Sequence, residues 1–503
     1  YNRTFKKIHK VTGLFLYNQN RVYYPTKPNG GAMDYQYIPR SYVGFVGRAS
    51  YGYNSRYLVD INVGYNGSEN FAPGKTRFGV FPSGSVGWVV SEENFMKKQS
   101  VISFLKLRAS YGIVGNDKIG GDRFLYIDGV WDVDGGGYNF GTDITSKAPA
   151  AIEGQLGNPK VTWERASKQN YGIDLKLFKD RLSLSADYFR ENRTDILISR
   201  NTTPGILAIT LPMLNMGEVL NQGYELSLKW ADGYKDMRYW IGANVSYAKN
   251  KILYMDEVKH VNDFNNQTGL STGLTYGYEF ERFYTEDDFT DVKKGILKDD
   301  VPKPSFGTPF PGDCKYVDKD GNGVIDTDDR TYLGYSTQRP EYVFGLNGGI
   351  DWKGWSFSMQ WTGATHVSRN LATEYRIPFS PSGNRALFKY HADERWTPET
   401  AKTATMPRFS DSSKALNYDQ NSSLWVKDAS YIRLKNVQLG YTFNKKGWLR
   451  TIGLNSLNVY VSGYNLLTFD KIKFIDPEAP TNGGNSNQYP IAKMVTVGIK
   501  LNF

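Results

Sequence analysis

Apolar and polar residues alternate with period two along most of the chain, the signature of strands that are dry on one face and wet on the other. In Tyr42–Tyr53, Val43, Phe45, Gly47, Ala49, Tyr51 and Tyr53 oppose Tyr42, Gly44, Val46, Arg48, Ser50 and Gly52. In Tyr57–Asn66, Tyr57, Val59, Ile61, Val63 and Tyr65 oppose Leu58, Asp60, Asn62, Gly64 and Asn66. Residues 237–249 and 429–443 repeat the scheme, whereas helical periodicity is weak everywhere. The pattern predicts fourteen strands near residues 8–20, 41–53, 57–68, 80–91, 102–114, 161–178, 181–193, 218–230, 237–249, 341–352, 355–365, 429–443, 454–468 and 491–503. Most exceed the nine to eleven residues that a tilted strand needs to cross a bilayer.

The connections alternate as well. Short ones fall at 54–56, around 179–180, at 231–236 and at 353–354; long ones occupy roughly 21–40, 115–160, 194–217, 250–340 and 366–428. Outer-membrane barrels have short periplasmic turns and long extracellular loops, which a soluble sandwich has no reason to imitate. On that rule both chain ends lie on the periplasmic side. The last segment, Met494–Phe503, keeps Val495, Val497, Ile499, Leu501 and Phe503 on one face to its final residue. That row is expected to face lipid, with the strand closing a barrel by pairing with its first strand.

Composition fits this reading. Aromatic residues make up 15% of the 503, glycines number 51, and the mean hydropathy is −0.51, the polar average that alternating strands produce. No run of 18 apolar residues offers a membrane-spanning helix. The single cysteine, Cys314, excludes an internal disulfide, and the four histidines are too scattered for a metal set. The net charge of +10 is dispersed and no nucleic-acid motif accompanies it, so no nucleic-acid partner is expected. The chain begins at Tyr1 without a signal pattern, and further sequence is expected upstream.

The sharpest local motif is Asp318–Asp329, "DKDGNGVIDTDD". It matches a calcium-binding EF-hand loop. Asp318, Asp320 and Asn322 supply oxygens at positions 1, 3 and 5, Gly323 makes the sharp turn, Val324 offers its carbonyl and Asp326 acts through water. Asp329 takes the place of the usual twelfth-position Glu, and its shorter side chain should lower affinity. A structural Ca²⁺ in the extracellular 250–340 connection is one reading; a solvated Asp/Asn/Gly turn that binds nothing is the other. Trp131, Tyr138, Phe140 and Trp396, all in long connections, are candidates for stacking on a sugar ring, although aromatics also pack or sit at membrane interfaces. The glycine-rich Asp132–Gly141 lacks the Lys of a phosphate loop. The neighbours Asp287 and Asp288 do not make a glycosidase pair, which needs two carboxyls facing each other across a substrate. Arg48 and Lys500 lie on wet faces and solvate an interior wall. No catalytic residue and no organic cofactor emerge.

An ordered set of blocks resembles a known family. Residues 41–96 with 104–117, then 156–197, 215–230, 311–334, 459–469 and "IDPE" at 475–478, and finally the terminal Phe503, together resemble the barrel region of SusC/RagA-like TonB-dependent transporters of the Bacteroidetes outer membrane. The resemblance implies an all-β transmembrane antiparallel barrel of about 22 strands, of which this chain holds about fourteen. It also implies an internal plug, a TonB-coupled periplasmic segment and a SusD-like lipoprotein lid. The plug and some eight strands are not in this sequence, so they belong to another chain or to a longer polypeptide. The implied function is TonB-dependent active import of a bulky nutrient, a glycan or oligosaccharide first and a peptide next, without enzymatic activity. A non-transporting surface receptor or adhesin is the alternative.

Overall fold

The computed structural model describes residues 1–23, 38–118, 123–128, 132–142, 145, 147–152, 156–204, 206, 211–379, 387–410, 414–444, 447–472, 474–479 and 491–503. Contacts divide the chain into two units. The first comprises Tyr1–Leu226, Lys249–Val258 and Thr268–Leu270; the second comprises Ser227–Ala248, Lys259–Gln267 and Ser271–Phe503.

Strands β1 (Asn2–Phe5), β2 (His9–Val22), β3 (Arg40–Tyr53), β4 (Tyr57–Ser68), β5 (Phe78–Val89), β6 (Ile102–Asn116), β7 (Glu164–Leu177) and β8 (Leu182–Ile198) belong to the first unit, and β9 (Leu214–Tyr234) begins in it. The strands β10 (Met237–Tyr254), β11 (Tyr342–Trp352), β12 (Trp355–Thr365), β13 (Tyr431–Asn444), β14 (Ser456–Asp470) and β15 (Met494–Asn502) follow. All fifteen lie in one sheet in chain order. Each of the fourteen expected strands is present. The addition is the four-residue β1, which folds back on β2 and places the Tyr1 amino group 3.0 Å from the Gly13 carbonyl oxygen.

Register makes the alternation a surface property. Tyr53, Tyr51, Ala49 and Phe45 of β3 stand opposite Tyr57, Val59, Ile61 and Tyr65 of β4, and these face Trp88, Val86, Gly84 and Val80 of β5. In the second unit Phe357 of β12, Leu439 of β13, Val461 of β14 and Val497 of β15 form the same kind of row. These rows are open to solvent: Val495 and Val497 are each 69% exposed and Ile499 is 67% exposed. A slip of one residue would swap the faces, so the apolar pattern restricts the register to even shifts. The opposite face pairs its charges. Arg108 of β6 donates through both terminal nitrogens to Asp187 of β8 at 2.6 Å and through Nε to Asp174 of β7 at 3.1 Å. Arg48 reaches Asp60 at 2.9 Å.

The buried apolar residues gather mainly in the long connections, because the strands spend their apolar positions outward. In the first unit Phe71, Phe81, Leu125, Val161 and Trp163 form one cluster. In the second unit Tyr278, Phe283, Cys314, Tyr316, Ile325, Leu371, Ile377, Met406, Tyr418, Leu424 and Trp425 pack the 255–341 and 366–430 connections against each other. Short connections at 6–8, 54–56, 178–181, 235–236 and 353–354 alternate with the long ones. Those at 90–101 and 445–455 are longer than these five. One holds a 3₁₀ turn at Val90–Glu92 and the other a helical turn at Gly447–Thr451.

Candidate metal centre in the 255–341 connection

Residues 318–329 form a closed loop between the short strands Cys314–Tyr316 and Thr331–Leu333, with no flanking helix pair. The loop coils because its own acceptors bind its own amides. Asp318 accepts from the Gly321 N–H at 2.8 Å and, through its other oxygen, from the Gly323 N–H at 2.8 Å. Asp320 accepts from the Asn322 N–H at 3.0 Å, and Asn322 accepts from the Val324 N–H at 2.7 Å. Gly321 and Gly323 take φ of +77° and +82°, the left-handed region where glycine carries no Cβ penalty. The coil then enters a 3₁₀ turn, Thr327–Asp329, capped by Asp326.

Asp329 is fully buried beneath the loop. One of its oxygens accepts from the Lys319 N–H at 2.6 Å and the other from the Asp326 N–H at 2.9 Å. Ile325, also fully buried, enters the apolar cluster of the second unit, and Lys303 and Ser305 donate to the Gly323 and Ile325 carbonyls at 3.1 and 2.9 Å. The coil is thus held from below by a side chain and from the side by a strand.

The carboxylates of Asp318, Asp320 and Asp329 each offer an oxygen, all lying within 4.8 Å of one another. The Asp329 oxygen that takes the Lys319 N–H also accepts from the Asp320 N–H at 3.3 Å, but its other oxygen and those of Asp318 and Asp320 accept one N–H each and keep a second lone pair for a cation, so the donor set fits a hard divalent ion such as Ca²⁺. Partial desolvation in the coil, with the charges of Asp329 and Asp318 adding to it, holds the Asp320 carboxyl above its ordinary range. A cation at this point would relieve the repulsion. Asn322 and Val324 stand on the same coil. Asp326 stands outside the group of three; its carboxylate accepts from the Asp328 N–H at 2.8 Å.

The other candidates are dispersed. Trp131 lies outside the described residues. Tyr138 and Phe140 are exposed, 65% and 71%, and meet edge to face at 5.0 Å beside the hairpin of Asp132–Tyr138 with Ala148–Ile152. Trp396 packs on Gly312 against the second unit's cluster. Asp288 is buried and bound by Arg282 at 2.6 and 2.7 Å and by the Thr285 N–H at 2.7 Å, while Asp287 is exposed, so the two do not face one another. Burial alone would raise the Asp288 carboxyl; Arg282 and the Thr285 donors outweigh it and hold it below its usual range.

Sequence reasoning missed the buried polar clamp beside this loop. Asp313, fully buried, accepts from Arg408 Nε at 2.7 Å, from Asn417 Nδ2 at 2.9 Å and from the Phe310 N–H at 2.9 Å. Asn417 in turn accepts from the Cys314 N–H at 2.8 Å, and its carbonyl receives the Trp425 indole at 2.9 Å. About a hundred residues separate these partners, and nothing local marks them.

Long strands that in each unit turn an apolar row outward, together with the charge pairs on the polar face of the first unit, define a membrane-spanning β-barrel protein of the outer membrane. The family model described as "TonB dependent receptor-like, beta-barrel" matches residues 3–466, and the chain belongs to that family. It is 29% identical over 506 residues to a TonB-dependent receptor of Formosa agariphila, with 94% of this chain and 47% of that protein covered. It is 27% identical over 476 residues to the TonB-dependent receptor SusC of Bacteroides thetaiotaomicron, covering 92% of this chain and 44% of SusC. The solved structure of the RagAB peptide importer in its open-open state superposes with a TM-score of 0.73 at 23% identity, over 100% of this chain and 54% of the other. That likeness establishes the fold. The chain spans about half the length of the relatives it matches.

Proposed function

We propose that this chain is the C-terminal barrel portion of a TonB-dependent importer that brings a bulky nutrient, a glycan or oligosaccharide first and a peptide next, across the outer membrane. The match of the receptor-barrel family over residues 3–466 carries this reading. The relatives are about twice as long, which supports a plug and further barrel strands being supplied from outside these 503 residues. A SusD-like lipoprotein is the proposed surface partner, and TonB supplies the work through the plug. On this reading the chain provides the wall and outer loops and makes or breaks no bond. Deleting TonB in the native organism should abolish uptake of the ligand while surface binding persists. Undiminished uptake would refute energised import, and binding without any uptake in either strain would favour the adhesin reading.

Within this function a Ca²⁺ on Asp318, Asp320, Asp329 and the Val324 carbonyl, with Asn322 beside it, is proposed to stiffen the 255–341 connection. Adding a chelator should speed protease cleavage within residues 318–329, and restoring Ca²⁺ should reverse it. Identical cleavage rates with and without chelator would remove the ion from the proposal.

A further inference from the structure

The apolar face of the second unit carries a groove that the import reading does not use. Trp355 of β12, Leu439, Tyr441 and Phe443 of β13, and Val459 and Val461 of β14 line a shallow, almost wholly apolar space of about 630 Å³. Trp355 and Leu439 remain 49% and 50% exposed, so the groove is open along its length. It runs about 13 Å along the strands, four residues at roughly 3.3 Å each, from Leu439 to Phe443 at the short-connection end.

A cation is fixed at that end. The turn from β11 to β12 is Lys353–Gly354, with φ of +46° and +94°. The Thr442 N–H donates to the Gly354 carbonyl at 2.7 Å, and a Cβ on Gly354 would stand 3.2 Å from the Tyr441 ring, so the turn is seated on the groove's own wall. Lys353 is exposed, with Nζ 5.7 Å from the centre of the Trp352 ring. Asp351 lies on the opposite face of β11, in register with Arg238 and Ser356. Other cations lie at the same end. The seven short connections hold twelve Lys and Arg against four Asp and Glu, whereas the 255–341 connection holds ten against eighteen.

An apolar channel that descends into the bilayer from an indole and a cation at the interface has the form of a phospholipid site, the aromatic rings marking headgroup depth and the cation attracting phosphate. We propose that this groove holds an acyl chain of an anionic phospholipid from the short-connection leaflet, with its headgroup phosphate on Lys353.

Native mass spectrometry of the full-length protein in detergent, titrated separately with phosphatidylglycerol and with phosphatidylcholine of the same acyl chains, tests this. Wild type should retain phosphatidylglycerol about fivefold better, the ratio that one interfacial cation provides. Lys353→Gln should bring the ratio close to one. Leu439→Trp, which fills the groove, should lower retention of both lipids alike, with migration on an unheated gel confirming that each variant is folded. Excess inorganic phosphate should not displace the lipid. A preference that survives Lys353→Gln, retention unchanged by Leu439→Trp, or a dimer that either variant dissolves, which would assign the groove to a second copy of the chain, each overturns the proposal.

Discussion

Asp313 shows what a single buried charge demands. Its carboxylate is removed from water, so its stability rests on Arg408, Asn417 and the Phe310 amide acting together. Arg408→Ala should leave that charge without its cation and cost about 3 kcal/mol, the low end for a buried pair because the Arg408 side chain keeps 25% of its surface exposed. Hydrogen exchange of the full-length protein should then show faster exchange at Cys314 and Trp425, whose N–H groups end on Asn417 and Ser422. Protection equal to wild type would mean that the ion pair is dispensable. Nothing in the sequence marks residue 313 for this role, because its partners are brought together only by the packing of two connections.

At the scale of elements, strands and connections obey different logic. A strand needs only alternation and enough length, both local, so every strand of ten residues or more was legible. The connections bury their own small cores, and the helical turns Thr373–Arg376, Lys389–Glu394 and Lys414–Asn417 are too short to leave a periodic trace. His391, in the second of these, is fully buried, with Nε2 donating to the Tyr375 carbonyl at 2.9 Å. Burial lowers its affinity for a proton, and the carbonyl bond only partly offsets this. A histidine with a depressed folded pKa contributes stability that is complete above its unfolded value near 6.5 and is lost as pH falls through the folded value. Acidification from pH 7 to pH 5 should therefore raise exchange in 388–394, and His391→Gln should remove that pH dependence. An equal pH response in both proteins would assign the effect to other groups.

For the whole molecule, the membrane acts as the solvent of one face. On β15 the neighbours Ile499 and Lys500 point to opposite faces, opposite Val459 and Asn458 of β14. Ile499→Lys should cost about 2–4 kcal/mol if the residue sits near the bilayer midplane. Lys500→Gln should stay within about 0.5 kcal/mol, as surface exchanges do. The folded fraction of full-length protein refolded into lipid vesicles across a urea series measures both. Equal losses would show that the two faces meet the same solvent.

Taken alone, the sequence determined the strands and which face of each is apolar, because a period of two with one buried or lipid-covered side leaves one choice of face. The resemblance of its ordered blocks also placed it in its family. Tertiary structure decided what depends on distant partners: the Asp313 clamp and the packing of Trp396 on Gly312. Alternation is written between neighbours, whereas a buried charge is satisfied by whichever residues the fold delivers to it, here from about a hundred positions away.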